Sequence, residues 1–339
     1  MEHRVILVGL GFFGKEWLRA IQRNPDAKLA GIVARTEKTL DAISSEFGVD
    51  RSIGATDYCE AFKRFDAEVA LCVVHPWLHR EVIVAALEAG MHVITEKPLE
   101  VSMEAAKEIL ACSTAHPKQH VMVSQNYRWR PHAQTLKSAI DRGAVGKIAH
   151  VSMRMYQFEP VGGYFNEFPY PTLQDVAVHQ FDLMRWLTGK ECVRIYARSY
   201  APPWSRWKGF PTSEAVLDFE DGIGADYFGT VMGSGALTTW DGDMTILGEK
   251  GMLTVDASCE VHMAGSPGGK PEKLAPVRTE RLELDYAWDQ MTGAIETGRK
   301  PECSLDDNVK TFAMVAAGVE SCRRGAPVEV ASMLASPHR

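Results

Sequence analysis

Apolar positions along the chain fall into two textures. Through the first 125 residues, short apolar runs of strand length at 4–8, 29–34, 68–74, 92–95 and 120–124 alternate with helical spacing at 15–23, 36–47, 78–89 and 102–115. Ser102 stands where an N-cap belongs, and Gly90 where a helix ends. Such alternation predicts a doubly wound parallel sheet. After Val145 the pattern changes. β-rich runs at 147–158, 193–200, 214–219, 223–232, 244–247 and 252–255 follow one another closely, with turn residues such as Asp221-Gly222 and Glu249-Lys250-Gly251 between them. Helical stretches at 173–187, 286–297 and 306–323 close before Gly189, Gly298 and Gly325. The expected fold class is α/β. Residues 1–125 form the parallel-sheet domain, and residues 126–339 an α+β domain with a large, mainly antiparallel open sheet and an exposed loop over 265–276.

Composition narrows the function classes. The 339 residues suit two domains at roughly 150 residues each. There are 37 basic against 44 acidic side chains, a net charge of −7, and no run of Lys or Arg. That leaves no electrostatic footprint for nucleic acid or an anionic membrane. The apolar run after Arg4 is too short for an export signal, and no stretch nears the roughly 18 residues of a membrane span. Seven scattered cysteines, an odd count without a CxxC pair, are the usage of a reducing compartment. A cytoplasmic protein is expected.

The run at 4–8 leads into Gly9-Leu10-Gly11-Phe12-Phe13-Gly14 and then into helical spacing. This is the context in which a GxGxxG loop binds a pyrophosphate. The first glycine makes the tight turn, the second lets the backbone approach the anion, and the third lets helix and strand pack closely. A dinucleotide-binding Rossmann domain is expected, with Gly9, Gly11, Phe12, Phe13 and Gly14 in the cradle. About 20 residues on, where an Asp or Glu would bind the ribose 2′-hydroxyl of NAD, the chain has Ala34-Arg35-Thr36. With no carboxylate to repel a 2′-phosphate and Arg35 able to grip one, NADP is favoured over NAD. The alternative is that Arg35 covers the adenine and both cofactors are used. Ligands on such sheets collect beyond the carboxyl ends of the strands, so the loops after Val74, Thr95 and Ser124 are expected to share the glycine loop's crevice, bringing in Glu96, Lys97 and Asn126.

Lys97 precedes Pro98, which holds it extended and aims it outward, able to donate to a substrate oxygen. Asp175, His179 and Asp182 share one face of a predicted helix. A histidine titrating near neutrality beside a carboxylate suits removal of a hydroxyl proton. An ordinary i, i+4 surface ion pair, worth about 0.3–0.5 kcal/mol, fits the same spacing. Trp129, Tyr156, Phe158, Tyr164, Phe165, Tyr170 and the Trp204–Trp207 loop concentrate aromatic surface in the second half. These rings suit either sugar stacking or core and subunit cover. His75/His79 and His116/His120 have i, i+4 spacing but no third ligand, so no metal is expected.

Taken together, these residues resemble the Gfo/Idh/MocA oxidoreductases, a family that includes inositol and sugar dehydrogenases, over most of the chain. The resemblance rests on Gly9–Gly14, on His75-Pro76-Trp77-Leu78-His79, and on Ala89–Val93 leading into Glu96-Lys97-Pro98. It extends to Asn126-Tyr127-Arg128, to the D-x-x-x-H-x-x-D set of Asp175, His179 and Asp182, and to Leu247–Gly251. It implies hydride transfer between a secondary alcohol and nicotinamide, with Lys97 and His179 handling the proton in either division of roles. Asp175 binds or orients, His79 supports the crevice loop, and His75 and Pro76 lie by the cofactor. Lys97, Trp129, Tyr156, Asp175 and His179 are the substrate set. The resemblance further implies a cis Lys97–Pro98 bond and a homodimer or homotetramer that covers the open sheet. Two positions depart from the family pattern: Tyr170-Pro171-Thr172-Leu173-Gln174 replaces a Gly-Gly pair, and Trp77 an Asn. Both bear on the identity of the substrate.

Three functions are compatible with this reading. The leading one is a dehydrogenase of a sugar, inositol or related polyhydroxy compound. The others are a non-catalytic dinucleotide-binding regulator, which has no need of Lys97, Asp175 and His179, and an NAD-dependent glycoside hydrolase that oxidises its substrate transiently.

Overall fold

A computed structural model describes residues 2–265, 267–281 and 283–335. By its internal contacts the chain divides into two units, one of residues 1–126 and 281–309, the other of 127–280 and 310–339. The first opens with β1 (His3–Val8), α1 (Phe12–Arg23), β2 (Ala27–Val33), α2 (Glu37–Phe47), β3 (Gly54–Ala55) and α3 (Tyr58–Arg64). It continues through β4 (Val69–Cys72), α4 (His79–Glu88), β5 (His92–Thr95), α5 (Met103–Ala115) and β6 (Val121–Val123). The six strands are parallel, in the order β3-β2-β1-β4-β5-β6. All four residues of β4 are buried, as are five of the six in β1, because crossover helices cover both faces of such a sheet. Strand order reverses between β1 and β4, the place where open α/β sheets bind ligands. Hydroxyl and carboxylate caps set the helix starts. Thr36, Asp57 and Ser102 accept the backbone N–H of Thr39, Glu60 and Ala105.

In the second unit α6 (Pro131–Asp141) precedes β7 (Ile148–Tyr156), and α7 (Ala177–Thr188) precedes β8 (Cys192–Tyr200), β9 (Thr212–Phe219) and β10 (Gly224–Thr230). Then follow β11 (Asp243–Gly248), β12 (Gly251–Val255), β13 (Val261–Ala264) and β14 (Glu272–Lys273). The chain goes on through α8 (Glu283–Thr297) and α9 (Leu305–Arg324) to β15 (Val328–Glu329) and α10 (Ala331–Leu334). A nine-stranded sheet forms in the order β14-β13-β12-β11-β7-β10-β9-β8-β15. It is antiparallel except where β10 runs parallel to β7. Strand residues alternate: Val151, Met153 and Met155 are buried, whereas Ser152 and Arg154 are not. The period of two leaves one face covered and one open.

Three sequence expectations change. The 126–339 domain is interrupted, because 281–309 clusters with the first unit. Arg23 pairs with the buried Asp285, Asn126 donates to Glu283, and Val123 N–H donates to the Cys303 carbonyl. The helix expected over 173–187 starts instead as one wider helical turn, Thr172–Val176, and becomes regular only at Ala177. In the loop expected over 265–276, residue 266 lies outside the described residues. Glu272–Lys273 in that stretch adds a two-residue strand beside β13. Among the described residues no helix is long and apolar enough to cross a membrane.

Candidate active site

In the first unit the glycine loop sits at the strand-order switch. Gly9 has φ +100°, and a Cβ there would overlap the Val73 carbonyl, so only glycine lets the loop pass beside the end of β4. A Cβ on Gly14 would overlap the Gly9 carbonyl, which keeps α1 tight against β1. At Gly11, the N-cap of α1, an added Cβ meets nothing within 4 Å. The first turn of α1 carries no acidic residue, and Phe12 is 77 % exposed. This open, glycine-lined helix N-terminus is the surface a pyrophosphate needs, and the residues present fit a dinucleotide.

After β2, Ala34 is buried, and Arg35 and Thr36 are exposed. Thr36 Oγ1 is engaged as the cap of α2. The acid in that helix's first turn, Glu37, is held by Arg51, which also donates to Asp41 at 2.7 Å. His75 stacks on Trp77 at 4.7 Å. Burial and the positive charge of Arg35 keep its imidazole more acidic than usual. Pro76 is buried. His79 is fully buried, with Nδ1 at 3.2 Å from the Leu99 carbonyl and Nε2 at 3.1 Å from the Val74 carbonyl. It thus ties the loop after β4 to the loop after β5. Burial pushes its pKa down to about 4, outweighing those two carbonyls, which favour the imidazolium. Glu96 is turned inward, where it accepts the Trp17 indole N–H at 2.7 Å, and burial pushes its carboxyl up. Lys97 is half-buried, and the Lys97–Pro98 bond is cis.

In the second unit the wide turn places Asp175, and α7 places His179 and Asp182, all buried. The turn breaks the i, i+4 relation that a regular helix would give Asp175 and His179. The Tyr164 hydroxyl donates to the Asp175 carboxylate, 3.3 and 3.4 Å from its two oxygens. Asp182 is committed to Arg128, which donates to it twice at 2.6 Å. It also accepts the Thr311 hydroxyl. The imidazole of His179 lies flat on the Tyr127 ring, centroids 3.8 Å apart and planes 11° apart. Trp129 is 4 % exposed, and Phe165, Phe168 and Trp207 join Met155, Val176 and Val231 in a core cluster. Tyr156 is half-buried, tilted against Phe228.

Sequence reasoning gave no role to Tyr127, Arg130, His132 or Asp241. Arg130 lies over Tyr127, its Cζ 3.6 Å from the ring centroid. Its Nη1 is 3.0 Å from Asp241, which also receives His132 and Thr239. Their sequence separations carry no periodic signal. Among the described residues no cluster of metal-ligating side chains is present.

Two family models match the chain. "Oxidoreductase family, NAD-binding Rossmann fold" matches residues 3–126, and "GFO/IDH/MocA C-terminal domain" matches residues 133–254, together more than two thirds of the sequence. The chain is 26 % identical to D-apiose dehydrogenase of Rhizobium rhizogenes over 98 % of its own length and 99 % of that protein. It is likewise 26 % identical to inositol 2-dehydrogenase of Rhizobium meliloti, over 98 % and 100 %. Its fold matches an oxidoreductase from Agrobacterium radiobacter solved with NAD+, L-tartaric acid and magnesium. The TM-score is 0.89 at 22 % identity, covering 98 % of this chain and all of that one.

Proposed function

Because the chain belongs to the Gfo/Idh/MocA family of NAD-binding oxidoreductases, we propose that it oxidises a secondary alcohol of a sugar, inositol or related polyhydroxy compound, using NADP in preference to NAD. The observation that carries this reading is the pairing of chemistries: an open glycine cradle in one unit, and a buried carboxylate and a stacked imidazole in the other. A bare binding protein has no use for the second.

Gly9, Gly11, Phe12, Phe13 and Gly14 hold the pyrophosphate at the N-terminus of α1. Arg35 and Thr36 face the adenosine ribose. No carboxylate stands at Ala34, and Arg51 neutralises Glu37, so the surroundings of Arg35 favour a 2′-phosphate. His75, Pro76, His79, Glu96 and Asn126 frame the crevice, His79 and Glu96 by bracing its loops. A nicotinamide bound here would supply the acceptor for the hydride that leaves the carbinol carbon. Lys97 donates a hydrogen bond to the substrate oxygen, His179 takes its proton, and Asp175 binds and orients. Tyr156 offers a ring face to a sugar, while the buried Trp129 shapes the wall from behind.

The open face of the large sheet, with Tyr196 and Val216 exposed between the Arg194–Asp218 and Arg198–Glu214 pairs, is the proposed surface of a homodimer or homotetramer. Light scattering of the purified protein tests this, and a monomer at micromolar concentration refutes it. The reducing compartment suggested by the cysteines is taken as the cytoplasm. The catalytic reading is tested by following nicotinamide absorbance with NADP+ and NAD+ in parallel against aldoses, inositols, sugar acids and aminosugars. Net cofactor reduction with one of them supports the dehydrogenase. Its absence, in protein shown to bind cofactor, defeats it.

A further inference from the structure

An imidazole attached through a soft sp3–sp2 torsion swings over a broad range unless something holds its plane. For proton transfer the plane is decisive, because the accepting lone pair of one ring nitrogen and the N–H bond of the other both lie in it. His179 has its plane set by Tyr127, at 3.8 Å and within 11° of parallel. Tyr127 cannot tilt away, because Arg130 lies 3.6 Å from its centroid. Two flat groups each under 4 Å from one ring centre must occupy opposite faces, so the order is imidazole, phenol, guanidinium.

The outer member of this stack is itself anchored. Arg130 reaches Asp241, which is fully buried. Burial alone would raise that carboxyl's pKa, but the hydrogen bond from His132 and the charges of Arg130 and His132 overcome it and hold it well below the usual range. The Thr239 hydroxyl donates to it at 2.6 Å. Gln180, next to His179, donates to the Trp240 carbonyl, next to Asp241, at 2.7 Å. The helix turn carrying the imidazole and the segment carrying the anchor are thereby fastened together.

We propose that Tyr127 and Arg130 are positioning residues for His179: Asp241 pins Arg130, Arg130 presses Tyr127 inward, and the phenol ring fixes the plane in which the imidazole accepts a proton. This rests on the dehydrogenase reading for its catalytic consequence, but the geometry is testable without turnover. In protein labelled at histidine, the His179 ring-proton signal, assigned by its loss in His179→Gln, is expected upfield from the ring current of Tyr127. Tyr127→Leu moves it back, and Tyr127→Phe, which keeps the ring, does not. Turnover in Tyr127→Leu falls on the order of 10- to 100-fold, the scale of a misplaced catalytic group. KM for substrate and cofactor stays within about threefold, because the loss lies in the chemical step. Tyr127→Phe restores most of the turnover. Arg130→Lys keeps a cation for Asp241 but removes the planar guanidinium, so it is expected between wild type and Tyr127→Leu. It carries the same test should Tyr127→Leu fail to fold. An unmoved His179 signal, or wild-type kcat in Tyr127→Leu, overturns the proposal. A wild-type protein inactive on every polyol would defeat the dehydrogenase reading instead, while the signal still decides the stack.

Discussion

Arg128 closes one edge of its guanidinium on Asp182, Nε to Oδ2 and Nη2 to Oδ1, each at 2.6 Å, with the side chains only 4 % and 1 % exposed. The sequence pattern groups Asp182 with Asp175 and His179, but the structure gives its carboxylate a different task. It fastens the segment after Asn126 to the middle of α7. Asp182 also accepts the Thr311 hydroxyl, Thr311 accepts from Arg185, and Arg185 is bidentate on the part-exposed Glu191, so a chain of polar groups runs along this helix from its core towards the surface.

Removing one partner of a desolvated ion pair leaves a buried charge without compensation, which costs about 3–5 kcal/mol. Asp182→Ala should therefore lower the urea midpoint sharply, followed by tryptophan fluorescence. The double change Arg128→Met with Asp182→Leu removes both charges and should recover most of that loss. A double variant no more stable than the single one would show that packing, not the pair, sets the cost.

His79 makes stability depend on pH. Its pKa is pushed down to about 4 in the folded chain, against an ordinary 6.5. Between those values the unfolded chain binds the proton and the folded chain does not, so stability rises with pH across this window. The contribution is fully present above pH 6.5, worth about 3 kcal/mol at 1.36 kcal/mol per unit, and is lost as pH falls towards 4. His92, half-buried beside His120, shifts in the same direction and adds to the slope. Urea unfolding at pH 5 and pH 7.5 should show a smaller difference for His79→Gln than for wild type. Equal slopes in the two proteins would remove His79 from this account.

How far these features were legible from sequence depends on the range of the forces that make them. The glycine loop and the cap at Ser102 are local, since each residue acts on a backbone within a few positions. The parallel sheet was legible from near-continuous apolar runs that only two-sided burial explains. The return of 281–309 to the first unit was not. It rests on single pairs between distant residues, Arg23 with Asp285 and Asn126 with Glu283, and no periodicity marks them. The two-residue strands β14 and β15 are too short to have a pattern and exist through register with β13 and β8. At the site, the residue types Lys97, Asp175 and His179 were readable. The turn under Asp175 and the ring under His179 were not, because a helical pattern does not distinguish one wide turn, and Tyr127 lies 52 positions from the imidazole it holds.

The proposed preference for NADP rests on charge at the end of β2. Ala34 occupies the position of the NAD-selecting carboxylate, Arg35 is exposed beside it, and Arg51 holds Glu37. Ala34→Asp introduces a like charge against a 2′-phosphate and an acceptor for a 2′-hydroxyl. The ratio of kcat/KM for NADP+ over NAD+ should fall by at least tenfold, about 1.4 kcal/mol of differential binding. An unchanged ratio would leave Arg35 as adenine cover and make the wild-type protein tolerant of both cofactors.

Proton handling is the most direct test of the catalytic assignment. Lys97→Met keeps the length and apolar stem of the side chain but removes the proposed donor to the substrate oxygen, and His179→Ala removes the proposed acceptor of the hydroxyl proton. Each should lower kcat by about 100- to 10,000-fold, the usual contribution of a positioned acid or base. Dinucleotide affinity, measured by nicotinamide fluorescence quenching, should change little in His179→Ala, because the glycine loop and α1 N-terminus are untouched. The two losses should also be far from additive, since in the proposed mechanism both groups serve one proton transfer. A double variant that retains wild-type turnover while binding cofactor normally would assign the chemistry to other residues altogether.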